Sequence, residues 1–97
     1  MKVELWRMEY APVRLREILT NQDGRCDQPL LEGTAVQAGI YQLVFHAGDY
    51  YRIRDASFPA PSFLDQVIIQ FGITVPDQHY HVPLLLSPYG YTTYRGS

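Results

Sequence analysis

Two histidines, His79 and His81, stand two positions apart beside Tyr80, Val82 and Pro83. On an extended strand, residues i and i+2 point to the same side, so both imidazoles would share one face. Such a pair can begin a metal site, but a metal takes three or four ligands. The lone cysteine, Cys26, and the scattered carboxylates offer no spacing that completes the set, and no metal site is expected. Proton transfer is the other chemistry, because an unperturbed imidazole titrates at about 6.5 and serves as acid or base at neutral pH. A histidine at the start of a strand is otherwise a hydrogen-bonded surface group, and spacing does not separate these two readings for His81. Arg25 follows Asp23-Gly24 directly. Its planar fork could clamp an anion or a carbonyl, or simply be solvated at the mouth of a turn. Cys26 has no neighbour resembling a nucleophile's base and reads as a packed thiol. Ser97 lies in no Gly-x-Ser-x-Gly elbow, yet it closes a polar tail, Tyr94-Arg95-Gly96-Ser97.

These residues depend on the strands that hold them. Lys2 to Met8 alternates, with Val3 and Leu5 on one side and Trp6 and Met8 on the other. After the Ala11-Pro12 turn, Val13, Leu15 and Leu19 alternate with Arg14, Arg16 and Ile18, which predicts a strand with one wet face. Asn21-Gln22-Asp23-Gly24 is a tight-turn signal. Pro29 to Ala38 has no period and reads as a connecting loop. Gly39 to Ala47 sets Tyr41, Leu43 and Phe45 against Gln42, Val44 and His46, another strand. A short helix follows to Arg54, with Asp49 as N-cap and Tyr50, Tyr51 and Ile53 facing inwards. Phe58 to Ser62 is an extended linker, since each proline disfavours helix at the residue before it. Asp65 to Thr74, rich in valine and isoleucine, is a strand with Val67, Ile69 and Phe71 on one face. His79 to Arg95 forms a hairpin around Ser87-Pro88-Tyr89-Gly90. If Leu86 pairs with Tyr91, Leu84 lies opposite Thr93 and His81 opposite Gly96. Short strands at this spacing with one brief helix argue an antiparallel β-sandwich.

The chain of 97 residues makes one domain, residues 1–97. Folding at this size hides roughly 60 to 65% of the unfolded chain's surface, which leaves a thin core and favours oligomerisation. A formal charge of −2 gives no footprint for nucleic acid or for an anionic membrane surface. No apolar run is long enough for a membrane span, and charges interrupt Met1 to Trp6 too early for a signal peptide. A single cysteine is most simply at home in a reducing compartment. Eight tyrosines stand against one tryptophan and four phenylalanines, a bias towards half-buried strands with hydrogen-bonded polar tips.

The segment from His79 to Ser97, with its Tyr-Arg-Gly-Ser ending, closely resembles the C-terminal signature of the 5-hydroxyisourate hydrolases, the transthyretin-related proteins of purine degradation. Further matches are Val3-Glu4-Leu5-Trp6, Thr20 to Arg25, and Phe63-Leu64-Asp65 leading into Phe71-Gly72-Ile73, so the resemblance covers essentially the whole chain. It implies a transthyretin-like antiparallel β-sandwich with one short helix. It also implies a homotetramer, a dimer of dimers, whose central channel holds active sites between subunits. The reaction implied is ring-opening hydrolysis of 5-hydroxyisourate to 2-oxo-4-hydroxy-4-carboxy-5-ureidoimidazoline, with neither metal nor organic cofactor. Carried onto matching positions, the catalytic residues are Arg25, His81 and Ser97. Substrate is bound by Arg25, Tyr94, Arg95 and Gly96. Transthyretin itself shares the fold without the Tyr-Arg-Gly-Ser tail, which separates a hydrolase from a hormone carrier.

The match carries one departure. Family members begin with a further strand bearing a histidine in a Thr-His-Val-Leu-Asp-like motif, and here Met1 stands where that strand should already have passed. Neither His46 nor His79 matches that histidine by context. A start lying late, a natural short form without activity, and a variant using another base are the competing explanations. A late start is favoured, because the other site residues are all present. The chain is accordingly expected to be weakly active or inactive. A non-catalytic transthyretin-like binding or interaction module is the alternative function. Family members occur in cytoplasm, periplasm and peroxisome; the cytoplasm is the simplest expectation, and Arg-Gly-Ser is not a Ser-Lys-Leu-type peroxisomal address.

Overall fold

A computed structural model of the chain describes residues 1–20, 37–74 and 84–93. Strand β1 (Lys2–Met8) runs antiparallel to β2 (Pro12–Leu19) on one side and to β3 (Gly39–Phe45) on the other, and β3 pairs in turn with β4 (Val67–Ile73). The sheet order is β2-β1-β3-β4. Helix α1 (Ala47–Arg54) and a loop over residues 55–66 connect β3 to β4. A second, two-stranded ladder joins β5 (Leu84–Ser87) to β6 (Gly90–Thr93).

The alternation in β1 and β3 places Val3, Leu5, Tyr41, Leu43 and Phe45 in the core, where Ala47, Val67 and Ile73 join them. Leu86 of the β5–β6 ribbon packs against the same cluster, as do Ile18, Leu64, Ile69 and Phe71. The core therefore lies between the four-stranded sheet and the ribbon, the two-layer arrangement of a sandwich. Tyr41 is fully buried, stacks on Phe71 with centroids 5.8 Å apart, and donates its hydroxyl hydrogen to the Gln37 carbonyl at 2.7 Å. One tyrosine of the eight thus has the buried, satisfied tip that composition suggested. Tyr10 is fully exposed instead.

Two expectations about faces are corrected. Strand β2 exists, but Val13, Leu15 and Leu19 are all exposed, and Ile18 is the residue that packs on the core. Pairing decides this: Ile18 lies opposite buried Val3 and Arg16 opposite buried Leu5, and the register then slips by one residue between Leu5 and Trp6. Such a slip leaves one residue of the longer strand unpaired and breaks the period-two pattern. Helix α1 also starts earlier than expected. His46 occupies the N-cap position without a side-chain cap, Asp49 falls in the first turn, and Ile53 is 87% exposed rather than inward. The helix is held by its first residues, Ala47 and Gly48, both buried. Gly48 approaches this loop closely: an added Cβ would collide with Asp65 Oδ1 and Ser62 Oγ, whose side chains would have to move aside. Its N–H donates to the Asp65 carbonyl at 2.8 Å. The loop reading of Pro29 to Ala38 falls, up to residue 36, outside the described residues.

Candidate active site

Arg25, His81, Tyr94, Arg95, Gly96 and Ser97 lie outside the described residues, as do Cys26 and His79. The described frame beside them is the β5–β6 ribbon. Leu86 pairs with Tyr91 and Leu84 with Thr93, the register expected from the sequence, and Ser87 pairs with Gly90 around a Pro88-Tyr89 turn. Ser87 Oγ donates to the Gly90 carbonyl at 3.1 Å, which tightens the reversal. In sequence, β5 begins three residues after His81 and β6 ends immediately before Tyr94. An open groove of about 470 Å³ lies along this ribbon, lined by Leu85, Leu86, Ser87, Gly90, Tyr91 and Thr92. Its lining mixes the hydroxyl groups of Ser87, Tyr91 and Thr92 with the apolar surface of Leu85 and Leu86.

A second polar cluster, not anticipated from sequence, sits on the sheet face opposite the core. His46 Nε2 and Glu4 Oε2 are 2.8 Å apart, and the two side chains are only 11% and 13% exposed. Arg14 Nη1 donates to Glu4 Oε1 at 3.2 Å and to Glu17 Oε2 at 3.0 Å. Glu4 and Glu17 are direct cross-strand partners. Like charges so placed repel, and Arg14 bridges them. The His46 hydrogen bond, supported by Arg14 and by the charges of His46 and Lys2, holds the Glu4 carboxyl below its ordinary value against the opposing effect of burial. His46 Nδ1 faces Asp49 Oδ2 at 3.9 Å. Only Nε2 is within hydrogen-bonding distance of a carboxylate. The carboxylates flank opposite edges of the ring, and among the described residues no group of three or more histidine, cysteine, aspartate or glutamate side chains could hold a metal. Only the pairing of β1 with β3, far apart in sequence, brings Glu4 to His46; no local pattern announces it.

The ion pairs and hydrogen bonds of Arg52 fasten the connection between α1 and β4. Arg52 donates to Asp49 at 2.7 Å, to Ser62 Oγ at 3.0 Å, and to Asp65 and the Pro59 carbonyl at 3.3 Å. Among the described residues no helix is long and apolar enough to cross a membrane.

The HIUase/Transthyretin family model matches residues 1–96. The chain belongs to this family. It is 59% identical over 98 aligned positions to the 5-hydroxyisourate hydrolase of Pseudomonas aeruginosa, an alignment spanning 100% of this chain and 78% of that protein. Among solved structures, the 5-hydroxyisourate hydrolase of Klebsiella pneumoniae superposes with a TM-score of 0.74 at 31% identity, covering 99% of this chain and 82% of that one. Sea bream transthyretin, solved in complex with thyroxine, superposes with a TM-score of 0.80 at 23% identity, over 98% of this chain and 79% of that one. That last likeness concerns the fold alone. The antiparallel sheets and the one short helix among the described residues of this family member form a transthyretin-like sandwich.

Proposed function

We propose that this family member hydrolyses 5-hydroxyisourate to 2-oxo-4-hydroxy-4-carboxy-5-ureidoimidazoline. The observation that carries the reading is 59% identity, along the whole chain, to a hydrolase named for that substrate. The described β5–β6 register supports it, because the pairing of Leu86 with Tyr91 is the one from which the sequence sets His81 opposite Gly96.

In this reading water adds to the cyclic amide carbonyl, the carbon–nitrogen bond breaks, and the departing ring nitrogen takes a proton. Arg25 binds the substrate's oxygens and stabilises the negative charge that develops on the attacked carbonyl. His81 orients or deprotonates the water and returns a proton to the ring nitrogen. Tyr94 and Ser97 contribute hydroxyl contacts, and Arg95 and Gly96 complete the tail that presents them. Neither metal nor organic cofactor enters the reaction. The working assembly is a homotetramer, a dimer of dimers, with the sites between subunits.

The test is the spectrophotometric decay of freshly generated 5-hydroxyisourate, with Arg25→Ala and His81→Ala alongside. Decay above the spontaneous rate, lost in both variants, is expected. Full turnover that His81→Ala leaves untouched refutes the assignment of roles. No turnover in the unsubstituted chain would overturn the hydrolase reading in favour of a binding module.

A further inference from the structure

On the outer face of the sheet, charged side chains of alternating sign follow one another from β2 to the α1–β4 loop. Arg14 is joined to Glu17 at 3.0 Å and to Glu4 at 3.2 Å, and Glu4 meets His46 Nε2 at 2.8 Å. Beyond the ring, Asp49 Oδ2 lies 3.9 Å from His46 Nδ1, Asp49 Oδ1 accepts from Arg52 at 2.7 Å, and Arg52 reaches Asp65 at 3.3 Å. Lys2 stands 3.8 Å from Glu17, and β4 carries no charged side chain. An ionised carboxylate only accepts hydrogen bonds, so the hydrogen between His46 and Glu4 sits on Nε2. The nitrogen left to gain or lose a proton is Nδ1, the one nearer Asp49. Its separation from Asp49 is too long for a hydrogen bond, yet short enough for attraction once the ring is charged. In the neutral ring the same nitrogen presents a lone pair to the carboxylate, and attraction turns to repulsion.

Carboxylates and guanidinium groups keep their charges between about pH 5.5 and about pH 7.5, whereas an imidazole ordinarily titrates at about 6.5. His46 is thus the member of this chain of charges that changes near neutrality. Its place in the backbone gives that change something to act on. His46 is the N-cap residue of α1, its N–H donates to the Lys2 carbonyl at 3.0 Å, and its carbonyl accepts from Tyr50 N–H at 3.2 Å. A helix N-terminus repels a cation, and Asp49, in the first turn, offsets that repulsion. We propose that His46 is a pH-sensitive clip for the first turn of α1. With Nδ1 protonated it draws Asp49 towards β1; with Nδ1 neutral it releases that turn to the hold of Arg52 and Gly48. The attraction is present below the imidazole range and lost as pH rises through it. Because the Asp49 side chain is 64% exposed, the pair falls on the scale of exposed ion pairs, about two- to fivefold in the local opening equilibrium. The clip is independent of the hydrolase reading.

Amide hydrogen exchange on the full chain, followed by NMR at about pH 5.5 and about pH 7.5 and corrected for intrinsic rates, reads the clip directly. Tyr50 N–H should be about two- to fivefold better protected at the lower pH, while Leu43 N–H, in the buried strand β3, keeps the same protection at both. Asp49→Asn, at an exposed position, should leave Leu43 protected and bring the Tyr50 ratio to about one, because the charge that Nδ1 answers is gone. His46→Gln should do the same; should that variant fail to fold, Asp49→Asn decides. Equal protection of Tyr50 at the two pH values in the unsubstituted chain overturns the proposal. So does a pH ratio that survives in Asp49→Asn. Parallel changes at Tyr50 and Leu43 overturn it as well, since they report opening of the whole domain and not of the first turn of α1.

Discussion

Glu4→Gln removes one charge and almost no volume, which makes it a clean probe of the polar cluster on the outer face of the sheet. In the folded chain the Glu4 carboxylate faces His46 Nε2 at 2.8 Å and accepts from Arg14 at 3.2 Å. Hydrogen bonds to charged groups contribute about 1.5–3 kcal/mol when buried, and exposed ion pairs about 0.2–1 kcal/mol. With the Glu4 side chain 13% exposed, a loss of about 1–2 kcal/mol at neutral pH follows from placing the site between those limits. For a domain of this size, that lowers the melting temperature by roughly 5–15 °C. The pH dependence is the sharper part. His46 holds the folded-state carboxyl below its ordinary value of 4.5. Its contribution is therefore complete above the unfolded-state value and disappears as pH falls through the folded-state value. Circular-dichroism melts at pH 7, 5 and about 3 should show the gap between the original chain and Glu4→Gln narrowing as pH falls below the ordinary carboxylate range, because protonation of Glu4 removes the charge on which the contribution rests. Arg14→Gln should cost less, since the Arg14 side chain is 50% exposed. An equal deficit at pH 7 and pH 3, or none at pH 7, would refute the electrostatic account of this pair.

The core and the site make further predictions. Leu43→Ala, at a fully buried position on β3, should destabilise by about 2–5 kcal/mol in urea denaturation. Tyr41→Phe keeps the stacking on Phe71 but deletes the hydroxyl bond to the Gln37 carbonyl, for a loss of about 1 kcal/mol by the same measurement. Arg25→Ala, which removes the guanidinium proposed to stabilise the developing negative charge, should lower the hydrolysis rate by about 10²-fold or more; an unchanged rate would show that Arg25 has no such role.

Local pattern made most of the strands legible. Val3 and Leu5, then Tyr41, Leu43 and Phe45, recur in period two and are buried, although Val44 between them is buried as well. The Pro88-Tyr89 turn fixed the last register, because a two-residue reversal leaves the flanking strands little choice of partner. The candidate site was legible in another way, through the close likeness of His79 to Ser97 to a known signature, which names chemistry without giving geometry. What alternation could not convey was the inward face of β2. The slip opposite Leu5 and Trp6 interrupts the period, and an edge strand has fewer neighbours to enforce it. Nor could it orient Ile53, because α1 is anchored by the close approach of Gly48 to Asp65 rather than by an apolar stripe.

The sequence by itself determined most of the described strands and the turn between β5 and β6, because each of these is written over a few neighbouring positions. Tertiary structure alone decided that His46 belongs to Glu4, that Arg14 separates two glutamates, and that Phe63 meets Tyr89 at the tip of the ribbon. Those contacts join segments as many as 42 residues apart, and only the pairing of whole strands brings them within reach of each other.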